Sequence, residues 1–151
     1  MRVIRTIHPV GHGGFFTEEL CDVTECYNVV YDCGTRNGIM LLEREINKAF
    51  NRKLSVDLLF ISHFDRDHVS GLKELARRNL LNSSTKVVMP FHYPFYFVIL
   101  NPFLYAYYEQ CMLILRSAGA TIVEVEEQNP FEDEYDRYLD RPHAINVSFE
   151  Q

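Results

Sequence analysis

The chain has no apolar run long enough to cross a bilayer. Residues Phe95–Leu100 (Phe-Tyr-Phe-Val-Ile-Leu) fall far short of the roughly 20 residues that a spanning helix needs, and Pro102 follows them. Met1–Val10 likewise lacks a secretory-type apolar core, so no membrane association is expected and the cytoplasm is the expected compartment. Basic residues are scarce, with 15 Lys and Arg against 21 Asp and Glu, for a formal charge of −6. Affinity for polyanions rests on neutralising phosphates, so that balance argues against a general nucleic-acid-binding patch. It does not exclude an enzyme that holds one phosphate through a metal. Repeats, low-complexity tracts and linkers are also missing, and 151 residues suit one domain, 1–151, with a real core.

Cysteines are few: Cys21, Cys26, Cys33 and Cys111. Four could form two disulfides, but the expected compartment argues against it. The first three fit no compact Cys-x-x-Cys pair, which leaves a zinc site from Cys21, Cys26 and Cys33 as a weak alternative. Cys33 ends a strand pattern and Cys111 lies in a helical one, so both read as small buried side chains. The acidity is concentrated late, with eight carboxylates and one basic residue between Glu124 and Asp140, as in a solvated loop.

What is present alternates between strand and helix signals. Val3–Ile7 alternates apolar and polar residues. His8–Gly14, "HPVGHGG", is turn-rich, and Tyr27–Cys33 is a run of β-formers that stops at Gly34. Ile39, Leu42, Ile46, Ala49 and Phe50 recur at helical spacing. Val56–Ser62, "VDLLFIS", fits a strand covered on both faces. Leu72, Leu75, Ala76 and Leu80 mark a helix starting near Ser70–Gly71, and Lys86–Met89 a strand ended by Pro90. Phe103, Tyr107, Cys111 and Ile114 make the stripe of a longer helix closed by Gly119, and Thr121–Val125 and Ala144–Phe149 read as strands. The interleaving predicts an α/β domain.

The chemistry lies in residues 62–71, "SHFDRDHVSG". A buried strand ends at Ser62, and His63, Asp65, Asp67 and His68 crowd into the connection that follows. Loops leaving the carboxyl ends of strands commonly host sites, because the strands fix where they start. Imidazoles and carboxylates together suit zinc, manganese or iron. The bland alternative is that these are cap residues, with Asp67 capping the following helix.

The decapeptide resembles the His-x-His-x-Asp-His signature of the metallo-β-lactamase fold, with Asp65 in place of the second histidine. That His-x-Asp-x-Asp-His form resembles the branch typified by the hydrolase domain of bacterial competence (DNA-uptake) channel proteins. "VGHGG" (Val10–Gly14), "VVYDCG" (Val29–Gly34) and "NVSF" (Asn146–Phe149) resemble further segments of that pattern in the same order. The resemblance implies an αββα sandwich of two packed sheets flanked by helices, with a one- or two-ion site between the sheet edges. By position, His63 belongs to the first metal and Asp67 and His68 to the second. Asp67 also holds the nucleophilic water, and Asp32 orients ligands from behind. Asp65, a hard oxygen donor, shifts the expectation for the first ion from zinc towards manganese. The implied reaction is hydrolysis of a phosphodiester or similar ester.

The remaining ligands of that family, a Gly-Asp and a further histidine motif, lie beyond the Asn-x-Ser strand. The chain therefore reads as the fold's amino-terminal portion. Three arrangements follow: a fragment, one chain complemented by a second, or a homodimer with a composite site. His12 on the glycine turn is a candidate pocket residue, and His92 a weaker one. His8 and His143 read as structural. The competing class is a catalytically incomplete module acting through protein partners, motivated by the nine Phe and Tyr residues in Phe91–Tyr108.

Overall fold

A computed structural model describes residues 1–51, 55–91, 102–126 and 148–149. His92, His143, Asn146, the middle of the aromatic segment and most of the acidic stretch lie outside the described residues.

Seven strands form one sheet in sequence order: β1 (Arg2–Ile7), β2 (Phe15–Cys21), β3 (Cys26–Cys33), β4 (Leu58–Phe60), β5 (Lys86–Pro90), β6 (Thr121–Val125) and β7 (Ser148–Phe149). The pairs β1–β2, β2–β3 and β6–β7 are antiparallel, and β3 through β6 run parallel. Helix α1 (Ile39–Ala49) joins β3 to β4. Helices α2 (Arg66–Val69) and α3 (Leu72–Arg77) join β4 to β5, and α4 (Pro102–Ser117) precedes β6. Parallel neighbours in strict order, with the right-handed crossovers that such connections favour, place the described helices on one face of the sheet, where α1, α3 and α4 share one apolar cluster.

The covered face carries the core. Val30, Leu59 and Val87 stand side by side on β3, β4 and β5 and are fully buried. They share one cluster with Leu42 and Ile46 of α1, Leu72 and Leu75 of α3, and Cys111 and Leu115 of α4. Each such aliphatic side chain contributes roughly 1.5–3 kcal/mol by leaving water. On the opposite face an apolar row crosses β1 to β6 in register: Ile7, Phe16, Tyr31, Phe60, Val88 and Val123. Ile7, Phe16 and Tyr31 are exposed, from 77% for Ile7 to 37% for Tyr31, whose ring stacks on Phe60; Phe60, Val88 and Val123 are half-buried.

The α/β expectation and most elements match. Three details differ. Residues 15–21 form a strand that the sequence did not announce, because "FFTEELC" does not alternate. It is held instead by pairing with β1 and by cross-strand ion pairs Arg2–Glu19 and Arg5–Glu18. The helix after the decapeptide is split, and α2 begins inside it. Asp67 therefore lies within α2 rather than capping a helix, while Asp65 occupies the cap position without a side-chain capping bond. Finally, all seven described strands belong to one sheet, so the described residues supply one β-layer and its helices rather than the full sandwich.

The weak cysteine zinc alternative is also corrected. Cys21 and Cys26 face each other where β2 turns into β3 and form a disulfide. Cys33 is buried in the core at the far end of β3. Among the described residues no helix is long and apolar enough to cross a membrane.

Candidate metal centre

Three connections meet at the carboxyl ends of β3 and β4: the turn from His8 to Gly14, the exit of β3, and the loop after β4. Their approach depends on glycines. A Cβ on Gly34 would stand 2.5 Å from the carbonyl oxygen of Asp67, and one on Gly14 3.0 Å from His68 Nδ1. With those Cβ atoms absent, Gly14 N–H donates to the Asp67 carbonyl (3.0 Å), and Gly34 N–H donates to the Gly14 carbonyl (2.8 Å). The segment after β4 is thus tied by backbone to both neighbouring turns.

Asp32 sits at the centre of the polar network. It adopts a left-handed backbone angle (φ 53), which Asp tolerates better than most residues. Its carboxylate accepts from Ser62 N–H (2.8 Å), Ser62 Oγ–H (2.7 Å) and His68 Nδ1–H (2.8 Å). Ser62 has one hydroxyl proton and gives it to Asp32, so its oxygen accepts from His63 Nδ1–H at 2.9 Å. The network therefore assigns the proton to Nδ1 on both histidines and leaves both Nε2 lone pairs free. The two rings lie 3.9 Å apart, centroid to centroid.

Asp67 is buried and faces these groups. Its Oδ2 lies 3.8 Å from His68 Nε2 and 3.4 Å from His12 Nε2, while its Oδ1 accepts from Arg36 Nε at 3.1 Å. Burial pushes its carboxyl up. The backbone hydrogen bond, Arg36 and His68 outweigh that and hold it below the ordinary carboxylate value. Asp65 points outward, with half its side chain exposed and Oδ2 3.7 Å from His63 Nε2.

The donor set fits a divalent ion in its chemistry. Ligand atoms around a tetrahedral zinc are separated by roughly 3.3 Å, given bonds of about 2.0–2.1 Å. The Asp67–His12 and Asp67–His68 separations are near that value. In both histidines the free nitrogen is Nε2, with Nδ1 tied back to a carboxylate or hydroxyl, which is how metal-binding imidazoles are usually held. The donors stand in pairs rather than in a closed triad, however. Among the described residues, only Glu19, Cys21 and Cys26 place three ligand atoms all within 4.8 Å of one another, and there both sulfurs are spent in the disulfide.

Of the residues singled out in the sequence, His63, Asp67, His68, Asp32 and His12 come together, and Asp65 stands at the rim. His8 is elsewhere: it is buried, stacked on Phe15 at 4.1 Å and bonded to Thr17. Sequence reasoning missed Ser62 and Arg36. Ser62 was read only as the last residue of a strand, although a hydroxyl beside a ligand-type histidine is a signal. Arg36 follows the Asp-x-Gly turn, and nothing local reveals that its partner lies 31 residues on.

Comparison with known proteins agrees with this architecture. Residues 23–80 match the family described as the Metallo-beta-lactamase superfamily. Among solved structures, the chain is similar to the metallo-beta-lactamase fold protein YhfI from Bacillus subtilis, with a TM-score of 0.50 and 13% identity. The match covers 85% of this chain and 47% of that one, so the chain spans about half the length of its solved relative. No curated protein matches it. The chain has the metallo-β-lactamase fold, represented by part of it.

Proposed function

We propose that the chain is a metal-dependent hydrolase of a phosphodiester or similar ester, resembling the competence-type branch and working in the cytoplasm. One observation carries the reading: Asp32 ties down His68 Nδ1 at 2.8 Å and leaves Nε2 facing the buried carboxylate of Asp67. His63, Asp67 and His68 would hold the ion, zinc in the first instance, with Asp65 and His12 at its rim. Asp65 as an oxygen donor favours manganese as the alternative. A divalent ion there supplies Lewis acidity and lowers the pKa of a neighbouring water towards about 7. Asp67 acts as the catalytic carboxylate. Arg36 holds its Oδ1 and favours its ionised form, which leaves Oδ2 towards His12 Nε2 and His68 Nε2. Purified chain supplied with zinc or manganese should hydrolyse bis(p-nitrophenyl) phosphate, and EDTA or Asp67→Ala should abolish it. Equal turnover by Asp67→Ala would remove the assignment.

A second reading, a non-catalytic module of the same fold, is favoured by the apolar row on the open sheet face. The occupant we propose for that face is a second copy of the chain, since two copies supply about as much fold as the solved relative contains. The copy could also close the far side of the metal centre. Solution mass should then show a dimer that Phe60→Asp dissociates. A monomer at all concentrations leaves a different complementing chain or segment as the occupant. Loss of hydrolysis on dissociation indicates a composite site. Dimerisation unaffected by Asp67→Ala, with no hydrolysis at all, favours the module.

A further inference from the structure

Beside the metal centre lies an open cavity of about 810 Å³, walled by Thr35, Arg36, Arg66, Ser70 and Tyr107 among others. Ligand sites typically span about 300–1,000 Å³, so the size is appropriate. Its lining contains two arginines and no carboxylate, in a chain whose formal charge is −6. Arg36 forms the wall between cavity and centre. It spends Nε on Asp67, and among the described residues its two Nη groups have no hydrogen-bond partner. Arg66 is exposed, belongs to the metal loop itself, and has no ion-pair partner among the described residues.

The other walls are suited to an anion in different ways. Ser70 Oγ accepts from Thr35 N–H and donates to the Thr35 carbonyl, so it shapes the wall and offers no free donor. The phenol of Tyr107 is pushed up by burial, with Cys111 adding and Arg66 opposing, and stays a neutral donor. Guanidinium forks match the oxygens of a phosphoryl group better than any other side chain does.

We propose that this cavity is an anion subsite in which Arg66 and the Nη groups of Arg36 hold a phosphate group of the substrate beside Asp67. The inference rests on the hydrolase reading for its purpose, but the binding itself needs no metal. Arg36 then has two tasks: Nε positions Asp67, and the outward fork faces the ligand. Arg66 has only the second, which makes it the residue to change.

The test separates the two levels. EDTA-treated chain is titrated with inorganic phosphate, using wild type, Arg66→Ala and Arg66→Lys, with circular dichroism confirming the fold of each. Wild type should bind phosphate, Arg66→Ala should bind it about tenfold more weakly, and Arg66→Lys should fall between, since lysine keeps the charge without the fork. In metal-supplied chain, Arg66→Ala should raise KM for bis(p-nitrophenyl) phosphate about tenfold with little change in kcat. Phosphate affinity unchanged in Arg66→Ala, or no phosphate binding by wild type, overturns the subsite. Absence of hydrolysis with phosphate binding intact overturns the hydrolase reading and leaves the anion site standing.

Discussion

Asp57 and Asp32 lie at opposite ends of the parallel strands and do different work. At the amino end, Asp57 accepts from the backbone N–H of Asn28 at 2.7 Å, donates its own N–H to the Asn28 carbonyl, and accepts from Lys86 N–H through its carbonyl. Every one of those bonds joins strand to strand. At the carboxyl end, Asp32 receives Ser62 and His68, both belonging to the loop after β4. One carboxylate continues the sheet's ladder, and the other fixes the direction of an imidazole. The difference shows that a hydrogen-bonded carboxylate at a strand end is not by itself a site; what it holds decides.

Breaking each carboxylate in turn separates the two roles. Asp32→Asn should lower affinity for zinc or manganese by about 10–100-fold, the usual effect of losing a ligand's supporting partner. Metal titration checks this. Asp57→Asn should do the reverse, weakening its charged hydrogen bonds to Asn28 and costing about 1 kcal/mol in urea unfolding while metal affinity stays as it was. If both variants lose metal alike, the ends do not differ in the way described.

A third contrast concerns acid. Glu74, buried under α3, is held at about 2, first by the hydrogen bond from Arg77 against the cost of burial, with Arg78 adding. Its folded value lies below the ordinary Glu value of about 4.3. Its stabilisation is therefore complete above that value and is lost as pH falls towards 2. Unfolding followed between pH 5 and 2 should show a decline that Glu74→Gln flattens. Because Glu74 bonds to Arg77 and Arg78 and to none of the candidate donors, metal affinity at neutral pH should be the same in that variant.

Much of the fold was legible in the chain because burial leaves a period. The helix stripes ending in Leu42–Ile46 and Cys111–Leu115 and the apolar run at Leu59 pointed to the core, and Gly119 ends its helix in a left-handed conformation (φ 77). Strand β2 was not legible, since an edge hairpin wet on much of its surface has no reason to alternate. The Cys21–Cys26 pair was not legible either, because its contact depends on the β2–β3 register rather than on a spacing motif. At the candidate centre, the crowding of His63, Asp65, Asp67 and His68 stood out from local sequence. The supporting bonds from Asp32 and Arg36 did not, because each spans 30 residues or more and exists only once the strands are side by side.

The central claim is that the loop after β4 holds a metal ion through His68 and Asp67. Elemental analysis of purified wild type, Asp67→Ala and His68→Ala, with solution mass measured on the same samples, addresses it most directly. Wild type should carry one or two transition-metal ions per chain, with a marked loss in both variants. No transition metal in wild type, or the same metal content in all three proteins, would contradict it.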